Sequence, residues 1–108
     1  MSNQVKVIKP LGRLDVTTAA DFRRQVNEIV SVSTPPQYLL VDLQKVTFMD
    51  SSGLGALVSA LKSIRNTNGE MVICSANDQV QMLFELTIMS KIFKIYSTID
   101  EFNSTLNP

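Results

Sequence analysis

The stretch Val46–Lys62 constrains the fold of this chain more than any other, because it changes character halfway along. Val46-Thr-Phe-Met49 is apolar and β-prone, whereas Leu54, Leu57, Val58, Leu61 and Ile64 recur at the spacing of a one-sided helix. Between them lies Asp50-Ser51-Ser52-Gly53, short polar residues at the point where the chain must turn. An Asp or Ser in such a place accepts hydrogen bonds from the first free backbone N–H groups of the helix. The same helix end carries partial positive charge and receives anions such as phosphate. The two serine hydroxyls therefore have three candidate roles: helix cap, phosphoacceptor and nucleophile.

The flanking sequence supplies the frame. Val5-Lys-Val-Ile-Lys9 reads as a strand, limited by Pro10 and Gly12. Gly12-Arg-Leu-Asp15 leads into Thr18, expected to cap a helix that carries Asp21 three residues on and buries Phe22, Val26, Ile29 and Val30. Ser31–Pro36 is a loop, since Pro-Pro cannot continue a helix. Tyr38-Leu-Leu-Val-Asp-Leu43 is an apolar run interrupted by one acid, which suits a strand covered on both faces. The central helix is expected over about Ser52–Asn66, with Gly69 in the left-handed position after it. Glu70–Ser75 reads as a further strand, and Asn77 as the cap of a helix with Val80, Leu83, Phe84 and Thr87 on one side. Ile88–Lys91 is expected as a loop and Ile92–Tyr96 as the last strand. Thr98-Ile-Asp-Glu101 matches a capping box and opens a short helix with Ile99, Phe102 and Leu106 inward. Strands alternating with helices predict an α/β fold: a mostly parallel, four- to five-stranded sheet with helices packed on it, in one domain over residues 1–108.

Composition narrows the function. The 44% apolar content can build a core in a chain of 108 residues, which buries roughly 65% of its extended surface on folding. Ten basic and ten acidic residues cancel, which argues against nucleic-acid or anionic-membrane binding by bulk charge. No apolar run reaches membrane-spanning length and no signal-like N-terminus appears, so a cytoplasmic chain is expected. The lone Cys74 reads as a buried small hydrophobe. The absence of histidine excludes Ser-His-Asp and Cys-His catalysis within the chain and removes the commonest zinc ligand. No metal site and no cofactor are expected.

Three chemistries are conceivable for the turn at Asp50. A serine nucleophile needs a base within reach, and neither Gly-x-Ser-x-Gly nor Ser-x-x-Lys surrounds Ser51 or Ser52. Gly53-Leu-Gly55 faintly resembles a phosphate-cradling loop but lacks the third glycine of a dinucleotide site and the Gly-Lys-Ser/Thr of a P-loop. An aspartate-phosphorylated receiver would use Asp42 or Asp50 with an acidic pair after the first strand, where the chain has Lys9-Pro-Leu-Gly12. A phosphoserine switch needs only a small hydroxyl at the helix lip, beside an exposed patch of Met49, Gly53 and Leu54 against which a partner packs. Phosphate there would add about −1.5 to −2 charges and reject that partner. Residue chemistry alone leaves the switch and the plain helix cap both open.

Phe48-Met-Asp-Ser-Ser-Gly-Leu-Gly55 resembles the signature of bacterial anti-sigma factor antagonists, the stand-alone STAS domains. Gly12-Arg-Leu-Asp15 with Thr17-Thr-Ala19, Asn68-Gly-Glu-Met-Val72 and Ile92-Phe-Lys-Ile95 resemble further segments of that family, in register along essentially the whole chain. Lys91 departs from it, standing where a glycine is common. The resemblance implies that Ser51 is phosphorylated by an anti-sigma factor that is itself a serine kinase, and is restored by a metal-dependent serine phosphatase. It implies that the unphosphorylated form binds the anti-sigma factor and frees a sigma factor. Asp50 and Ser52 then flank the acceptor and Asp15 lies on the neighbouring docking surface. The chain would be a substrate and a binding module, not an enzyme. Some relatives serve as regulatory modules in larger proteins or in other partner-switching pathways.

Overall fold

The computed structural model describes residues 4–106. Four strands, β1 (Val5–Ile8), β3 (Tyr38–Asp42), β5 (Glu70–Cys74) and β6 (Lys94–Tyr96), form one parallel sheet in the order β1-β3-β5-β6. Two more strands, β2 (Gly12–Leu14) and β4 (Val46–Met49), form a separate parallel pair. The helices are α1 (Ala19–Val30), α2 (Ser51–Arg65), α3 (Asp78–Leu86), α4 (Met89–Ile92) and α5 (Ile99–Leu106).

Period-two alternation divides the apolar strands between two cores. Leu39, Val41, Met71 and Ile73 point into the main core with Phe22 and Val26 of α1 and Leu57, Ala60 and Ile64 of α2. Leu40, Val72 and Cys74 point the other way, beneath Phe102 of α5. Tyr38 and Tyr96 flank Phe102 there, with ring centroids 5.5 and 5.7 Å away. Both faces of β3 and β5 are thus covered, as their apolar runs require. Cys74 is fully buried, and desolvation followed by the nearby Asp42 charge pushes its thiol pKa up.

Several local expectations hold and several are corrected. The Asn77 side chain accepts from Val80 N–H at 2.9 Å, and the Thr98 hydroxyl accepts from Glu101 N–H at 3.1 Å. Glu101 reaches back to Ser97 N–H, one residue earlier than the reciprocal bond of the standard box. Thr18 does not cap α1: its hydroxyl accepts from Asp15 N–H at 3.0 Å and donates to Arg13 O at 2.8 Å. The left-handed residue after α2 is Asn68, with φ 65°, not Gly69. Gly69 is needed for closeness instead, since a Cβ there would lie 2.8 Å from Ile64 Cγ1 and 3.1 Å from Gln37 O. The segment around Lys91 forms the short helix α4, so the last strand begins at Lys94 and not at Ile92. Val46–Met49 lies outside the main sheet, because β2, read from the sequence only as the lead into the first helix, takes it as a partner through an irregular register between Gly12 and Arg13.

Candidate functional site

β4 ends at Met49 and α2 begins two residues later, so the turn is a single residue, Asp50. Asp50 is extended, at φ −118° and ψ −169°, and its Oδ1 accepts from Ser52 N–H at 2.9 Å and Gly53 N–H at 3.1 Å. Its carbonyl accepts from Leu54 N–H. One carboxylate thus satisfies two of the orphan donors of the helix end, and the cap bonds are made without either serine. Ser51 is exposed and Ser52 half-buried, and neither hydroxyl makes a hydrogen bond with the described residues. The first turn of α2 carries no acid. Arg23 of α1 places Nη2 3.6 Å from where a Cβ on Gly55 would stand, one turn beyond Ser51.

Met49, Gly53 and Leu54 do not form the exposed patch expected of them. Met49 is fully buried, Gly53 is buried and Leu54 is 9% exposed. Met49 is inward because its side chain alternates into the core shared by β4 and α2. Gly53 is a contact glycine: an added Cβ would stand 2.0 Å from Leu14 O and 2.9 Å from Met49 Cγ. No L-residue side chain fits that space, so Gly53 lets α2 start directly against the end of β2.

Asp15 lies beside this turn, because Leu14 pairs with Met49 and Asp50 N–H points to Leu14 O at 3.4 Å. Its carboxylate accepts from Thr17 Oγ1 at 2.6 Å, Thr17 N–H at 3.0 Å and Arg13 Nε at 3.0 Å. The Thr17 hydroxyl and then Arg13 lower its pKa to about 2. Arg13 also lies 4.4 Å from the centroid of the Phe48 ring, tying β2 to β4 at the surface. Val16, 72% exposed, is the apolar residue that this rim presents to solvent.

Asp42 is 2% exposed and its Oδ1 accepts from Gln44 N–H at 3.0 Å, so it closes a turn after β3. Among the described residues no three His, Cys, Asp or Glu side chains are placed to share a metal ion. Among the same residues no helix is long and apolar enough to cross a membrane. The chain's sequence gave no sign of Gln79, whose side-chain amide bonds both backbone polar groups of Met49. A glutamine early in a helix carries no pattern that would reveal such a contact.

The STAS domain model matches residues 2–102. The anti-sigma F factor antagonist of Paenibacillus polymyxa is 33% identical over 92 residues, covering 85% of this chain and 78% of the relative. The anti-sigma-B factor antagonist of Listeria monocytogenes is 36% identical over 92 residues, covering 85% and 79%. The crystal structure of a Thermotoga maritima protein of the same class superposes with a TM-score of 0.85 at 28% identity, over 96% of this chain and 88% of that one. The strand–Asp–Ser–Ser–Gly–helix unit is therefore set in a fold and a sequence that agree, and the chain belongs to the STAS-domain family of anti-sigma factor antagonists.

Proposed function

We propose that this chain is the phosphorylation-controlled binding module of a cytoplasmic partner switch. Unphosphorylated, it binds an anti-sigma factor that is also a serine kinase, and so frees a sigma factor. Phosphorylation of Ser51 ends that binding, and a metal-dependent serine phosphatase reverses it. The chain is the substrate of both reactions and the catalyst of neither.

One observation carries the reading: Ser51 Oγ is exposed and uncommitted at the first position of a helix that Asp50 already caps. A hydroxyl held in a cap could not be modified without loosening the helix, whereas this one can. Phosphate adds about −1.5 to −2 charges and three acceptor oxygens. The helix N-terminus favours such a group by about 0.3–1 kcal/mol, so the domain stays folded. A partner fitted to the bare hydroxyl instead meets bulk and a charge it must desolvate. Asp50 adds negative charge beside it, whereas the Asp15 carboxylate is paired with Arg13 at 3.0 Å. The partner-facing surface in this proposal is Ser51 and Ser52 with Asp50 and Val16, and Asp15, expected on that surface but only 8% exposed, borders it. Met49, Gly53 and Leu54 shape that surface from beneath.

Binding of the anti-sigma factor from the same cell to three variants tests the proposal. Ser51→Ala should bind as wild type does, Ser51→Asp at least tenfold more weakly, and Ser52→Ala should still accept phosphate. Wild-type affinity in Ser51→Asp together with binding of the Ser51-phosphorylated protein would overturn it.

A further inference from the structure

β4 has a strand on one side only. Backbone groups alternate in direction along a strand, and at its end Asp50 N–H points toward β2 while Met49 N–H and C=O point away. Met49 is fully buried, so its two polar groups need partners within the protein. Gln79 supplies both: its Nε2 donates to Met49 O at 2.8 Å and its Oε1 accepts from Met49 N–H at 2.9 Å. A primary amide carries one acceptor and two donors, so a single side chain stands in for the missing strand. Asn77, just before α3, extends the seam by donating from Nδ2 to Val46 O at 3.2 Å and Thr47 O at 3.3 Å. On the opposite side the bond from Asp50 N–H to Leu14 O is long, at 3.4 Å. At the end of β4, the two bonds made by α3 are thus shorter than the one from Asp50 N–H to β2.

We infer that Gln79 is a positioning residue for Ser51. By gripping both polar groups of Met49, two residues before Ser51, it fixes the height and angle at which the turn presents the hydroxyl. It thereby joins α3 to the switch. The inference rests on the reading of Ser51 as phosphoacceptor, and it acts through Asp50: when β4 keeps its register, the Asp50 carboxylate meets Ser52 and Gly53 N–H together. A looser Met49 lets the cap open and Ser51 wander relative to the partner's reacting groups, where small misplacements cost large factors in rate.

Two variants test it. Gln79→Met keeps the length of the side chain and removes both bonds. Gln79→Glu keeps the acceptor for Met49 N–H and removes the donor to Met49 O. Amide hydrogen exchange in the free protein and phosphate transfer from ATP to Ser51 by the anti-sigma factor from the same cell are the two readouts. In Gln79→Met, protection at Met49, Ser52 and Gly53 should fall at least tenfold while that of Leu40 and Ile73 stays within threefold. The kcat for phosphate transfer should fall at least fivefold, by more than KM rises. Gln79→Glu should lie between Gln79→Met and wild type in both. Equal loss of protection at the turn and in the sheet would make Gln79 merely structural and overturn the inference. So would a wild-type kcat in Gln79→Met. Wild-type protein that takes no phosphate on Ser51 would sink the phosphoacceptor reading, while turn-specific loosening would still support the clamp.

Discussion

Asp15 and Asp50 stand at equivalent places, each one residue past a paired strand residue, Leu14 or Met49, and each ahead of two hydroxyl side chains and a helix. In the β2–α1 turn every hydroxyl is used. Thr17 Oγ1 donates to Asp15, and Thr18 Oγ1 bridges Asp15 N–H and Arg13 O. In the β4–α2 turn the aspartate turns inward to the backbone of its own helix and leaves both serine hydroxyls without a partner. One turn is closed by its own side chains and the other is open to chemistry from outside. The difference lies in what each aspartate holds: the Asp15 carboxylate takes up the Thr17 hydroxyl, whereas the Asp50 carboxylate takes up only backbone N–H groups and leaves its serine hydroxyls free.

The comparison breaks most severely at Gly53, where the two turns touch. Gly53→Ala should destabilise the fold by about 3 kcal/mol or more, because the new methyl group meets the Leu14 carbonyl, which is backbone and cannot rotate away. Urea denaturation measures this, and a loss under about 1 kcal/mol would show that α2 and β2 can part freely. Thr18→Ala should cost about 1–2 kcal/mol by the same assay, since it removes a bridging hydroxyl and leaves Asp15 N–H unpaired. Ser51→Ala, at the corresponding open turn, should change stability by no more than about 0.5 kcal/mol. If the two substitutions cost the same, the distinction between a closed and an open turn is wrong.

Much of this was legible in the residues. The switch from β-prone to helical periodicity across Asp50 located the turn, and Asn77 and Thr98 named their helices correctly because capping is a local bond between near neighbours. The facing of Met49 was not legible, because a four-residue strand does not say which of its sides meets the core. β2 was hidden for a related reason. Three residues with a register irregularity after Gly12 look like a turn until β4 is placed beside them. Thr18 had the pattern of a cap, but a tertiary demand from Arg13 O and Asp15 N–H took its hydroxyl first. Gln79 shows the same limit, since its partner lies 30 residues away in sequence.

Two smaller effects sharpen the contrast. The closed turn holds Asp15 ionised, its pKa lowered to about 2 by Thr17 and Arg13. A lowered folded-state pKa contributes stability that is fully present above the ordinary value of 3.8 and is lost as pH falls toward 2. Carboxyl NMR titration of Thr17→Ala should show the Asp15 midpoint moving up toward 3.8. An unmoved midpoint would mean that the Thr17 hydroxyl does not hold the charge. Gly55→Ala should be the mildest change, because its Cβ would make only ordinary contact with the Arg23 guanidinium at 3.6 Å. Replacing a helical glycine at such a site should raise stability by about 0.5–1 kcal/mol. A thermal melt that falls would show that α1 and α2 are packed more tightly there than the 3.6 Å spacing implies.

The central claim concerns which hydroxyl is open. Phosphosite mapping by mass spectrometry, on this protein incubated with ATP and the anti-sigma factor from the same cell, addresses it directly. The four hydroxyls of the two turns, Thr17, Thr18, Ser51 and Ser52, then compete under one condition. The expected result is a single phosphate on Ser51, with Thr17 and Thr18 unmodified and Ser52→Ala unchanged in yield. Phosphate on Ser52, or on either threonine of the closed turn, would contradict the account.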